Sequence, residues 1–328
     1  MSMEEVARRA GVSTATVSRV MNNKTVVKSA TRNRVMRVIT ELNYHPNLLA
    51  RTLAGGCSRT LGMILSNMEN PFFFDVYRAA ETLAHTHGYE VAAVNTGYRP
   101  EKLLAGIRMM IGRRVAGLAV IASEMEPSFL NEVTESKIPA VFYDLGSSRQ
   151  GVQNIRVNCR PGIGRIVDYL HDLGHRKFAY IGHHPAYGPA GEREVTFVES
   201  VKRLGSAWRT ACAQDSLEGG RQAARLLLES GFRPTAVICV NDFMAVGALR
   251  ELRDRGLHVP QDVSVTGFDN IKLSEFCHPA LTTVHIPRER IGRRVVAMLC
   301  PEEGSTTAGD IVIDPELVLR GSTGPAPA

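Results

Sequence analysis

The chain has 328 residues, 44% of them hydrophobic, and a formal net charge of +6. That length calls for roughly two or three domains, no apolar run approaches the ~18 residues that span a bilayer, and the opening MSMEEVARRAG has no apolar secretory core. Six cysteines, at 57, 159, 212, 239, 277 and 300, form no C-x-x-C pair, and some lie in apolar runs such as AVICVND, which speaks against zinc and disulfide frameworks and for free thiols in a reducing cytoplasm.

The charge is unevenly placed. Residues 1–60 hold ten Lys/Arg against three Asp/Glu, a local net of +7, so the other 268 residues sum to −1. A compact basic module on a near-neutral body reads as a head for a polyanion.

In chain order, MEEVARRA sets Val6, Ala7 and Ala10 at helical spacing, with acids in the first turn where the helix dipole favours them. Gly11 stops this helix. Ser13 caps a second, Thr14 to Met21, which Asn22 and Asn23 end. A third starts at Ser29 or Thr31, carries Val35, Val38, Ile39 and Leu42 on one stripe, and stops before Pro46. Ala7, Ala10, Val12, Val17 and Val20 make a small core, which leaves Thr14, Ala15, Ser18 and Arg19 facing out. This is helix-turn-helix logic; an ordinary three-helix cap is the alternative. Arg19 suits guanine, the Ala15 methyl suits a thymine methyl, and hydroxyls suit bases or phosphate. Thr14, Ala15 and Arg19 are expected to read bases and Thr16 and Ser18 to hold phosphate, with Ser13 and Asn22 flanking the same surface. NLLARTLAGG then runs as a linker to Gly55-Gly56.

From Leu61 short apolar runs alternate with helical stretches: TLGMILSN, EVAAVNTG, VAGLAVIAS, IPAVFYDLG, KFAYIGHH, AVICVND and DVSVTGFDN. That alternation predicts an α/β body of two lobes with doubly wound parallel sheets. Ligands bind such sheets at the carboxyl ends of strands, so the polar tails matter: Ser66-Asn67, Asn95, Ser123, Asp144, His183-His184, Asn241-Asp242 and Asp269-Asn270. PGIGR, with Gly162 and Gly164, reads as a tight turn before a helix and not as a nucleotide loop. The chain has no G-x-x-x-x-G-K-[ST], H-E-x-x-H or G-x-S-x-G motif, so no enzyme, cofactor or metal is expected. The adjacent His183 and His184 point opposite ways on an extended segment and lack a third ligand.

EEVARRAGVSTATVSRVMN followed by LNYHPNLLARTLAGG resembles the head and hinge of the LacI/GalR family of bacterial transcriptional repressors. Core segments follow in the family's order along almost the whole chain: TLGMILSNMENPFF, GRRVAGLAVIAS, IPAVFYD, LGHRKFAYIG, PTAVICVNDFMAVGAL, VPQDVSVTGFDN, PALTTVHIP and LVLRGSTG. The resemblance implies a DNA-binding head at 1–46, a hinge helix and linker at 47–58, an effector-binding and dimerisation body at 59–322 and a tail at 323–328. It also implies that hinges from two subunits pair in the minor groove, with Leu53 as the wedge at a kinked step, Ala50 beside it, and Asn47 and Arg51 on phosphates.

The body is expected to be similar to periplasmic sugar-binding proteins. Lobe one would take about 60–158 and 286–312, and lobe two about 159–285 and 313–322, crossing at VNCRPGIG, LTTVHI and IVIDPEL. Carried over position by position, the effector site comprises Arg193, Asp269, Asn241, Asp144, Ser66, Phe72 and Phe73. A fork donor, several acceptors and aromatic faces suit a sugar or sugar derivative, with a purine as the alternative. Where family members place a second-lobe aromatic, AQDSLEGG offers Ser216 and Leu217. The expected partners are a double-stranded, near-palindromic operator, that effector, and a second copy of the chain, with no membrane. The family's tetramerising heptad tail has no counterpart, so a cytoplasmic homodimer is expected.

Overall fold

The computed structural model describes residues 2–21, 27–44, 58–145, 152–184, 188–300 and 310–327. The chain divides into two compact units, Met1–Ser58 and Arg59–Ala328, each taken here by itself.

In the first unit, α1 (Met3–Ala10), α2 (Thr14–Met21) and α3 (Ser29–Glu41) pack around Val6, Ala10, Val17, Val20, Val35 and Val38. Val12 and Ile39 are half-buried against this core, and Tyr44 joins it from beyond α3. Ser2 caps α1 by accepting from the Glu5 N–H at 3.3 Å. Gly11 ends α1 at φ +61°, a left-handed conformation that costs glycine nothing. Ser13 caps α2, its Oγ accepting from the Thr16 N–H at 3.2 Å. The expected helix ends at Asn22 and Asn23 lie outside the described residues.

The second unit alternates strand and helix. Its first part runs β1 (Thr60–Leu65), α4 (Pro71–Thr86), β2 (Glu90–Asn95), α5 (Pro100–Gly112), β3 (Gly117–Ile121), α6 (Pro127–Ser136), β4 (Ala140–Tyr143) and β5 (Gln153–Val157). Then come α7 (Cys159–Asp172), β6 (Lys177–His183), α8 (Gly188–Arg203), β7 (Ala207–Ala213), α9 (Leu217–Glu229), β8 (Ala236–Cys239), α10 (Asp242–Asp254), β9 (Ser264–Thr266) and α11 (Lys272–Phe276). β10 (Thr283–His285), α12 (Arg288–Leu299), β11 (Ile311–Ile313) and β12 (Glu316–Val318) follow.

Among the described residues the strands form two parallel sheets, β11-β5-β4-β3-β1-β2 and β7-β6-β8-β9, with β10 and β12 as an antiparallel pair. β3 and β8 are buried throughout and β1 at all but its first residue, as expected for strands covered on both faces. The edge strands β2 and β7 are half-exposed. The chain passes between the sheets after β5, between β10 and α12, and between β11 and β12.

Register sets the ends of the strands. Leu65 pairs with Asn95 and Ile121 in the first sheet, and His183 pairs with Ala213 in the second. Ser66, Thr96 and Ala122 therefore leave one edge together, and Asp215 and His183 leave the other. α9 and α10 cross at backbone contact: a Cβ on Gly220 would lie 2.0 Å from the Met244 carbonyl oxygen, and one on Gly247 equally close to that of Leu217. Gly162 and Gly164 correct the sequence reading. They lie inside α7 and not in a turn before it, and a Cβ on Gly162 would come within 3.0–3.3 Å of Pro315, Phe268 and Val284.

Candidate DNA surface and interlobe cleft

On the head, Thr14, Ala15 and Arg19 are exposed along α2, while Thr16 and Ser18 are half-buried beside them. Ser13 is exposed, with its hydroxyl in hydrogen-bond contact with that of Thr16 at 3.0 Å. α2 thus buries Val17 and Val20 and turns a small polar and cationic face outward, the size and chemistry that a major groove accepts. Asn22, Asn47, Ala50, Arg51 and Leu53 lie outside the described residues.

In the body, Phe72, Phe73, Arg193, Asn241 and Asp269 converge on one cavity of about 30 Å³, close to the volume share of a single water. Phe72 and Phe73 enter from the first turn of α4, which Asn70 caps by accepting from the Phe72 N–H at 3.0 Å. Their rings meet edge to face, with centroids 5.2 Å apart. Asn241 caps α10 through the Met244 N–H at 2.9 Å.

Arg193 comes from α8 and is buried. It donates to the Val240 carbonyl at 2.7 Å, lies 3.9 Å over the Phe268 ring and approaches Asp269 Oδ1 at 3.5 Å. Its Nε and Asp269 Oδ1 have no hydrogen-bond partner. Burial raises the Asp269 carboxyl to about 7, against the pull of Arg193 and Arg288. Asp269 also sits at φ +102°, a conformation that costs a non-glycine residue roughly 1–3 kcal/mol and persists only where its surroundings impose it.

Asp144 opens instead into a neighbouring cavity of about 430 Å³. It too has positive φ, and burial pushes its carboxyl up to about 6. Ser66 is wholly buried behind the cleft, donating to Glu124 Oε2 at 2.6 Å and accepting from the Ser123 N–H at 3.0 Å. Asp144, Cys159 and Glu192 place potential metal ligands within 4.8 Å of one another. Burial raises the Cys159 thiol to about 11.

The residue that organises the cleft is Asp215, which the sequence reading passed over. Its carboxylate accepts from Asn70 at 3.1 Å and Tyr98 at 2.7 Å on the first lobe, and from Asn241 at 2.8 Å on the second. Asn67 donates both to this carboxylate at 3.1 Å and to the Asp215 carbonyl at 2.8 Å. The Tyr98 and His183 rings lie against each other from opposite lobes, with centroids 4.8 Å apart. Ser216 caps α9 and Leu217 is 40% exposed, so neither supplies the expected aromatic face. The signal for Asp215 was the strand-tail rule applied to β7. AWRTACA gives no strand signal of the usual kind, because Arg209 and Thr210 interrupt its apolar residues and none of it is fully buried.

A helix-turn-helix head with a body of two parallel-sheet lobes closing on a polar cleft defines a transcription regulator built on a periplasmic-binding-protein-like body. Residues 2–47 match the model of bacterial regulatory proteins of the lacI family, and residues 167–323 match that of a periplasmic binding protein-like domain. A curated relative, the HTH-type transcriptional repressor PurR of Vibrio atlanticus (strain LGP32), is 36% identical over 307 residues, covering 91% of this chain and 90% of its own. A solved lac repressor dimer bound to operator and the anti-inducer ONPF superposes with a TM-score of 0.82 at 28% identity, over 99% of each chain. A complex of the transcriptional regulator CelR with cellobiose has a TM-score of 0.70 at 26% identity, over 98% of this chain and 99% of its own. The chain belongs to the lacI family and is a DNA-binding transcriptional repressor, not an enzyme. Among the described residues no helix is long and apolar enough to cross a membrane.

Proposed function

We propose that this repressor binds a near-palindromic operator as a homodimer in the cytoplasm, and that a sugar or sugar derivative in the interlobe cleft controls its grip on DNA. The observation that carries the effector reading is the buried pair of Arg193 Nε, a donor, and Asp269 Oδ1, an acceptor, both without hydrogen-bond partners at one cavity. Buried polar atoms left this way cost free energy until a ligand satisfies them. Arg193 and Asp269 place a donor and an acceptor at the edge of this cavity, and Phe72 and Phe73 line it with apolar rings, the combination a polyhydroxylated ring requires. The similar CelR was solved with cellobiose, which supports the same ligand class.

α2 supplies the reading surface, and the local charge of +7 supplies the attraction to phosphate. The similar lac repressor was solved as a dimer on operator. Two-fold symmetry of the protein then asks for two-fold half-sites. The expected domain limits, 1–46, 47–58, 59–322 and 323–328, and the hinge contacts of Asn47, Ala50, Arg51 and Leu53 belong to this reading. Footprinting on the DNA upstream of the chain's own gene, followed by a salt titration, tests it. A protected palindrome is expected, with log affinity falling linearly in log salt by about 0.9 per phosphate contacted. Arg19→Ala should cost roughly 1–3 kcal/mol at one base pair of each half-site. No protection at low salt would sink the reading.

Exposed apolar side chains of the body are the candidates for the dimer contact. Phe276 is 71% exposed on α11, Leu273 of the same helix is 41% exposed, and Phe74 on α4 is 46% exposed. Phe276→Glu is expected to leave the fold intact and shift sedimentation from dimer to monomer, with a matching loss of operator affinity. A variant that still sediments as a dimer would remove this face from the interface.

A further inference from the structure

The largest cavity among those described lies outside the cleft. It is a groove of about 880 Å³ framed by α4 and α12 on the first lobe, and by α11, Asn270 and Arg320 on the second. Seven arginines and lysines line it against three acids, on a body whose residues from 61 onward sum to a charge of −1.

Two of the cations are fixed in place. Arg288 bonds Asp75 Oδ2 at 3.1 Å and donates to the Asp269 carbonyl oxygen. Arg320 donates to Asn270 Oδ1 at 2.7 Å and to the Leu281 carbonyl at 2.9 Å. Lys272, Arg290 and Arg294 are exposed and form no ion pair among the described residues. Several other arginines of the body do meet acids: Glu251 takes Arg221, Arg225 and Arg255, Arg108 meets Glu132 at 2.6 Å, and in the groove itself Arg78 meets Asp75 at 3.3 Å and Arg293 meets Glu289 at 3.7 Å. Arg290 and Arg294 stand one turn apart on α12, a like-charge spacing that destabilises a helix unless an anion offsets it.

We propose that this groove is a second ligand site, for a small molecule bearing phosphate. Its volume lies in the range of small-molecule sites, and guanidinium forks at several angles match phosphate oxygens. The basic surface does not run on past α11, where Leu273 and Phe276 are exposed, so the groove suits a compact anion and not an extended polyanion.

The site is wired to the cleft. Asp269 turns its carboxylate to Arg193 and its carbonyl oxygen to Arg288, and its positive φ is held partly from the groove side. An anion competes with that carbonyl for the Arg288 donors, so occupancy of the groove and of the cleft is linked reciprocally.

Pyrophosphate titrated into the full chain at constant ionic strength tests the proposal, read by calorimetry and by hydrogen exchange. Saturable binding is expected, with new protection over residues 268–276 and 288–297. Arg290→Ala combined with Arg294→Ala should weaken it by at least about tenfold, the loss expected from two charge-assisted contacts. Without pyrophosphate the double variant should melt no lower than the parent, since it loses only a repulsive pair. The basic head also attracts anions, so the location decides. Protection confined to residues 1–60, equal binding by the double variant, or no heat beyond that of matched chloride would each overturn the groove site.

Discussion

Arg193→Ala should abolish the melting-temperature rise that effectors produce, while leaving operator binding intact. The guanidinium carries one of the buried polar atoms without a hydrogen-bond partner at that cavity, and among the described residues no other Arg or Lys lines it. The same substitution should destabilise the body. It strips a cation from the Phe268 ring and a donor from the Val240 carbonyl, and it leaves Asp269 buried without its partner. Breaking a buried pair on one side costs about 3–5 kcal/mol, roughly 10 °C for a unit of this size. Arg193→Met, which keeps most of the volume, should melt higher than Arg193→Ala yet remain blind to effector.

The pH dependence has a definite sign. Asp269 already titrates near 7 when folded, well above its unfolded value of about 3.8. A carboxyl raised by folding binds more protons in the native state, so stability falls as pH rises from the unfolded toward the folded value. Without Arg193 to hold it down, that upper limit moves higher. The deficit of Arg193→Ala against wild type should therefore be larger at pH 8 than at pH 6. A screen of sugars, sugar phosphates and purines by thermal shift supplies the ligand, and an undiminished shift in Arg193→Ala would remove this residue from the site.

Asp215→Ala should open the body. One carboxylate takes donors from Asn70, Tyr98 and Asn67 on one lobe and Asn241 on the other. Each bond to a charged acceptor contributes about 1.5–3 kcal/mol when buried, so truncation leaves several donors whose cheapest remedy is water. The expected result is a larger radius of gyration by X-ray scattering and faster hydrogen exchange at residues 67–73. Asp215→Asn keeps the shape but offers one acceptor oxygen in place of two, and should fall between. Wild-type scattering and exchange in Asp215→Ala would show that the lobes are held by something else.

The architecture was legible because its signals are physically strong. Apolar runs buried on both faces mark β1, β3 and β8, and Ser13, Gly11 and the valine spacing mark the head. The cleft was legible where a side chain stands at the tail of a conspicuous strand, as Asn241 and Asp269 do. It was illegible at Asp215, Tyr98 and Asn70. Asp215 follows an edge strand that one face leaves half-exposed, so its pattern looked like loop. Tyr98 and Asn70 reach the cleft by pairing with a residue more than 110 positions away; Asn70 reads locally as the cap of α4, and nothing local encodes the pairing. The groove was hidden for a related reason. Its charges come from α4, α11, α12 and the segment at Arg320, and only the folded chain assembles them.

The cavity at Arg193 and Asp269 is too small for even a monosaccharide, and this has a consequence in time. The bonds to Asp215 and the packed Tyr98 and His183 rings hold the lobes together over that space, and seating a ring-sized ligand requires them to part. At low concentration, uptake should rise in proportion to ligand. At high concentration it should level off at the frequency with which the lobes spread by themselves, a ceiling set by the protein and independent of what is added. Weakening the Asp215 contacts should lift that ceiling, so a repressor with a looser cleft would answer a sudden change in its surroundings sooner.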